Sequence, residues 1–131
     1  MTQQYPVANE SERAKYVTVV ADVPKVNLSP EITTQLVLGQ NMTLSFSEVP
    51  AGAPGAIHSH PHEQMIVVLS GKIDIIADGK AYRIGVGDVL WVPGDVPHGG
   101  MGLDEPCRMV EIFTPARKDF EEKLRQARSA S

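Results

Sequence analysis

His58-Ser59-His60-Pro61-His62-Glu63-Gln64 gathers three imidazoles and one amide into seven residues. Run as a strand, it turns alternate side chains to opposite faces, so His58, His60 and Gln64 share one face and Glu63 takes the other. Neutral imidazoles at i and i+2 are a common opening of a metal site. A helical version needs histidines at i and i+4, which this spacing does not offer. A polar surface turn rich in histidine would account for the same residues. Glu63 rivals Gln64 as a ligand only if a bulge near Pro61 reverses its facing. His62 has the right parity but follows Pro61, and reads as a solvent-facing or outlying histidine.

Outward from this stretch the chain reads as short extended segments separated by turns. Ile57–Leu69 carries the histidines and then an apolar run, ended by Ser70-Gly71. Lys72–Ala77 and Lys80–Ile84 flank Asp78-Gly79, a strong hairpin signal because glycine accepts the positive φ of a tight turn. Val89–Val92 and Cys107–Phe113 are later strands. Tyr16–Ala21, Thr33–Leu38 and Met42–Val49 are earlier ones, the last with Met42, Leu44 and Phe46 on one face and Thr43, Ser45 and Ser47 on the other. Only the C-terminus reads as helix, with Thr114 as a cap, Pro115 at the first position and Phe120, Leu124 and Ala127 on one side. Its expected task is to clamp one end of the sheet. Many short strands, tight turns and one late helix predict an all-β antiparallel sandwich or small barrel. Residues 1–16 read as a polar N-terminal arm and 17–131 as the single domain.

Composition bounds the function. The 131 residues suit one domain, and a hydrophobic share of 42% suits one core. A net charge of −4 speaks against nucleic acid as a partner. No apolar run approaches the roughly 20 residues of a membrane span, and the first residues lack the apolar centre of a secretion signal. Cys107 is the one cysteine, so no internal disulfide is available. These features predict a cytoplasmic protein that binds neither nucleic acid nor membrane. Tyr16–Ala21 could serve as an unpaired edge, so a homodimer is expected.

A second block stands behind the first. Gly87 is followed by Pro93 and then His98, as Gly52 is followed by the histidine pair, Gln64 and Gly71. This paired pattern resembles the cupin superfamily over roughly residues 42–113. The resemblance implies a jelly-roll β-barrel with a short C-terminal helix, and a divalent transition metal (Fe, Mn, Co, Ni or Zn) held by His58, His60, Gln64 and His98. Two departures are visible: Gln64 stands where the family more often has glutamate, and Gly94 sits one place early. Three neutral imidazoles and a neutral amide leave the +2 charge of such an ion uncompensated, which favours a small anionic ligand in the open positions.

On Cys107–Phe113, Glu111 shares a face with Cys107, Met109 and Phe113. A carboxylate on such a face is costly without a partner, and if it looks inward it is poised as a general acid or base. An ion pair near the barrel mouth is the plainer account. The tail Glu111-Ile112-Phe113-Thr114-Pro115-Ala116-Arg117 is similar to that of small cupins of pectin and alginate breakdown, whose tail reads Asp-x-Phe-Ser-Pro-Pro-Arg. Those proteins ketonise 4,5-unsaturated uronates, opening the ring to a linear keto form. The resemblance implies an isomerase-type enzyme acting on a small anionic sugar acid or related carbonyl compound, with Glu111 in proton transfer. Arg117 then binds the substrate carboxylate, pairs with Glu111 or caps the helix. The extra methylene of Glu111 moves its carboxylate about 1.5 Å relative to aspartate. Other cupin chemistries, including Fe(II) dioxygenation, and a non-catalytic ligand-binding or sensor role are the alternatives.

Overall fold

The structure, a computed structural model, describes residues 4–130. Helix α1 (Glu10–Arg13) opens the described chain and is closed by a reciprocal cap: the Asn9 side chain takes the Glu12 N–H, and Glu12 Oε1 takes the Asn9 N–H. Nine strands follow: β1 (Val26–Asn27), β2 (Thr33–Leu38), β3 (Thr43–Val49), β4 (Glu63–Ser70), β5 (Lys72–Ala77), β6 (Lys80–Gly85), β7 (Val89–Val92), β8 (His98–Gly102) and β9 (Cys107–Thr114). Helix α2 (Lys118–Ala130) closes the chain. No helix among the described residues is long and apolar enough to cross a membrane.

The strands form two antiparallel sheets, one in the order β1-β2-β3-β9-β4-β7 and one in the order β6-β5-β8. Val49, Ile66, Val68 and Met109 from the large sheet pack with Ile73, Ile75 and Ile84 from the small one, making the core of a jelly-roll sandwich. A second cluster joins Leu36 and Phe113 to Phe120 and Leu124 of α2, so the helix does clamp the sheet as its apolar stripe predicts. The β5–β6 hairpin turns at Asp78 (φ 48°) and Gly79 (φ 80°), the positive-φ pair its sequence announces.

Three expected boundaries are corrected. Tyr16–Ala21 is not a strand; Val20–Asp22 is a single 3-10 turn. The Gln35 side chain donates to the Val20 and Val23 carbonyls, both at 2.9 Å, so side-chain bonds replace a ladder there. The histidine-bearing strand begins at Glu63 rather than Ile57, since Pro61 has no N–H to give a ladder. Helix α2 begins at Lys118 rather than at Pro115, because Thr114 still pairs with Glu63 in the sheet and the Arg117 N–H is taken by Thr43 Oγ1.

The faces of β3 are inverted relative to ordinary amphipathic patterning. Thr43, Ser45 and Ser47 are buried, while Leu44 and Phe46 are only partly covered on the outer face. Trp91 of β7 is 56% exposed and donates its indole N–H to Glu63.

Candidate metal centre

Residues 57–62 form an arm that crosses onto the start of β8. His58 and His98 exchange backbone N–H···O bonds, both 2.9 Å, which ties the two histidine segments together. Glycines on β8 allow the approach: a Cβ at Gly99 would lie 2.6 Å from the Ala56 carbonyl oxygen, and one at Gly102 would lie 2.3 Å from that of Pro50. His60, His98 and Gln64 are buried, and His58 is exposed at the mouth.

Each imidazole is oriented by a carbonyl. Nδ1 of His58 faces Ala56 O at 2.9 Å, that of His60 faces His62 O at 3.1 Å, and that of His98 faces Val96 O at 2.7 Å. A carbonyl can only accept, so each Nδ1 donates and each neutral ring carries its lone pair on Nε2. Ligand nitrogens of the three rings lie within 4.8 Å of one another, a spacing that can hold a metal ion. The Gln64 amide oxygen is 3.1 Å from His60 Nε2 and 3.0 Å from His98 Nε2. Lone pairs of two ring nitrogens and a carbonyl oxygen thus face one another with no proton between them, which is the donor set a divalent cation satisfies. Burial, reinforced by the Arg117 charge, holds the proton affinities of His60 and His98 below the ordinary imidazole value.

Glu63, the sequence-level rival, points outward to Trp91. His62 is half-buried, and its Nδ1 is the one buried side-chain polar atom without a hydrogen-bond partner among the described residues. Glu111 faces inward from β9. Its Oε2 accepts from Gln64 Nε2 at 2.6 Å and its Oε1 from Ser47 Oγ at 3.0 Å. Burial raises its affinity for a proton, while the hydrogen bonds of Ser47 and Gln64 and the Arg117 charge pull the other way. Arg117 is buried; its Nε and Nη2 donate to Asp119 at 3.0 and 2.7 Å, and its guanidinium stacks 3.8 Å from the Phe120 ring centroid. Of the three readings open for Arg117, the ion pair formed is with neither Glu111 nor a helix carbonyl but with Asp119, whose carboxyl it holds below the usual range.

These groups line one cavity of about 510 Å³ that includes His58, Gln64, His98, Glu111, Phe113 and Arg117, with Leu28 and Ile32 of the β1–β2 loop across from them. The sequence did not single out Thr34, Ser45 and Ser47 behind Glu111; the face that Ser45 and Ser47 share on β3 was visible, while its inward turn and the place of Thr34 beside it on β2 were not.

A two-sheet jelly roll with three converging histidines from two glycine-flanked segments defines the cupin class, and the cupin domain model matches residues 45–113. The chain belongs to the cupin family. It is 30% identical over 70 residues to the pectin degradation protein KdgF of Dickeya dadantii, covering 53% of this chain and 64% of that protein. The chain therefore spans just under two thirds of that relative. Its fold is like that of KdgF from a Halomonas species (24% identity, TM-score 0.68, covering 73% of this chain and 89% of the other). It is also like that of an RmlC-like cupin from Shewanella frigidimarina (24% identity, TM-score 0.73, covering 80% and 95%).

Proposed function

We propose that this chain is a metal-dependent cupin enzyme that moves a proton on a small anionic carbonyl compound, ketonisation of an unsaturated uronate being the type reaction. One observation carries the reading: an inward-facing, half-buried carboxylate, Glu111, lies one amide away from converging imidazole nitrogens in a shared cavity. The similarity to a pectin degradation protein supports a sugar acid as substrate.

In this reading His58, His60, His98 and Gln64 hold the ion. When bound, a divalent metal supplies Lewis-acid polarisation of a substrate oxygen. The protein's own groups do the rest. Converting an enol to a ketone removes a proton from oxygen and adds one to carbon; Glu111 carries one of these transfers from its site between Ser47 and Gln64. Arg117 offers positive charge to a substrate carboxylate: Asp119 fixes Nε and Nη2, leaving Nη1 as the end for that contact. Phe113 walls the cavity and supports the His60 ring edge-on at 5.6 Å.

The test is direct. Protein loaded with Co²⁺, Ni²⁺, Mn²⁺, Fe²⁺ or Zn²⁺ is mixed with 4,5-unsaturated galacturonate, and the linear keto product is followed by NMR. Conversion no faster than in buffer, with every ion, would remove the reading.

Metal affinity carries a pH signature. An ion and a proton compete for Nε2, and the lowered proton affinities of His60 and His98 keep those rings neutral to a pH below the ordinary ~6.5. Affinity for Co²⁺ should agree within about two-fold between pH 8 and 7, and fall only once the pH drops below the ordinary imidazole value and the rings take up protons. A steep fall already between pH 8 and 7 would contradict this.

The same proposal includes a cytoplasmic location, which the lone buried Cys107 suits. It also includes a homodimer, for which the exposed Met65, Val89 and Trp91 on neighbouring strands supply apolar area. Light scattering should give twice the 14.2 kDa chain mass; a 14.2 kDa species would exclude it.

A further inference from the structure

Behind Glu111, away from the imidazoles, runs a line of buried hydroxyls. Ser47 Oγ donates to Glu111 Oε1 at 3.0 Å; Ser45 Oγ lies 3.0 Å from Ser47 Oγ; Thr34 Oγ1 lies 2.6 Å from Ser45 Oγ. All three side chains are at most 1% exposed. Interior positions on adjacent strands of a sandwich are ordinarily apolar, and hydroxyls there cost stability unless each is satisfied.

A hydroxyl has one proton to donate. Ser47 gives its proton to the carboxylate, so it accepts from Ser45, and Ser45 in turn accepts from Thr34. With Ser47 and Gln64 both donating to it, Glu111 sets one direction for the whole line: Thr34 to Ser45 to Ser47 to Glu111. The other carboxylate oxygen accepts from the Gln64 amide nitrogen. A glutamine amide keeps nearly the same shape when rotated by half a turn, exchanging its oxygen and nitrogen. Its packing does not choose between them; its hydrogen bonds do. With Glu111 held as an acceptor, Gln64 must present nitrogen to it and oxygen to the imidazoles.

We propose that Thr34, Ser45 and Ser47 are positioning residues that, through Glu111, fix which end of the Gln64 amide faces the metal position. The inference rests on reading the imidazole cluster as a metal centre, and it assigns these hydroxyls a part in metal affinity. It also explains why β3 turns its small polar face inward.

The probe is Co²⁺, titrated into metal-free full-length protein and read by its visible absorption. Ser47→Ala should weaken binding about ten-fold, because Glu111 loses a charge-assisted donor and its aim at Gln64 loosens. Ser45→Ala, which removes only the support behind Ser47, should weaken it about three-fold. Ser47→Thr keeps the hydroxyl and should restore affinity to within about two-fold of the parent. The altered donor should also change the intensity of the Co²⁺ bands in Ser47→Ala but not in Ser47→Thr. The proposal falls if both alanine variants bind like the parent, or if Ser47→Thr is as weak as Ser47→Ala, which would make the effect one of packing. Absence of Co²⁺ binding by the parent protein would instead defeat the metal reading and this inference with it.

Discussion

Glu111→Gln should weaken metal binding about ten-fold, as Ser47→Ala does, because an amide at 111 cannot accept from both Ser47 and Gln64, and at saturating metal it should lower turnover by about 10²–10⁴-fold, or about 3–5 kcal/mol of transition-state stabilisation. The substitution is nearly isosteric, so the cavity wall keeps its shape. A glutamine at 111 can still accept from Gln64 Nε2 with its oxygen, and it can donate to Ser47 with its nitrogen. The hydroxyl line then runs in reverse, from Ser47 towards Thr34, and every buried group stays bonded. What is lost is the capacity to take up and release a proton. The measurement pairs a Co²⁺ titration with the rate of keto product formation. Full activity with normal metal content would take Glu111 out of the mechanism and leave it a structural carboxylate.

The second large effect belongs to His98→Ala, which should weaken metal binding by more than about a hundred-fold, beyond the cost of disturbing an outer partner. His98 is 3% exposed, and its ring packs 4.6 Å from that of His58 and 4.8 Å from that of His60. No neighbouring side chain can replace its nitrogen: His62 sits beyond His60, and Glu63 faces the outer surface. The backbone bridge to His58 does not depend on the imidazole, so the variant should fold. Calorimetric titration with Co²⁺ or Ni²⁺ checks the affinity, and thermal unfolding of the metal-free proteins checks the fold. Retained affinity in His98→Ala would mean that the ion, if any, binds elsewhere.

Much of this site is legible in the sequence. The spacing of His58, His60 and Gln64, with His98 behind a second glycine-led block, was enough to expect one cluster, and Gln64 rather than Glu63 on its inner side. Strand alternation governs Gln64 against Glu63 within β4, but His58 and His60 reach the centre from an irregular arm held by backbone contacts with β8. Such contacts join residues about forty positions apart, and periodicity within a segment carries no trace of them. β8 itself was missed because its His-Gly-Gly-Met-Gly sequence has weak strand propensity; it pairs because β5 lies beside it. The hydroxyl face of β3 was legible as a face. Its inward direction was not, since polar residues ordinarily mark the solvent side and only a polar interior reverses that rule. The partner of Arg117 was likewise open until Asp119 was seen two residues on, within reach of its guanidinium.

The mutual backbone pairing of His58 and His98 bears on how an ion enters and leaves. Both ligand-bearing segments are fastened by peptide groups, and each ring is aimed by its own carbonyl, so an incoming cation would find its donors already gathered and need recruit no loop. Loading should then resemble exchange into a rigid chelator: little folding is coupled to it, and similar ions can replace one another. With three imidazoles and an amide whose affinities would follow the general first-row order and single out no one ion by ligand type, the occupant of this site would be decided as much by the ion supply of the cell as by the protein.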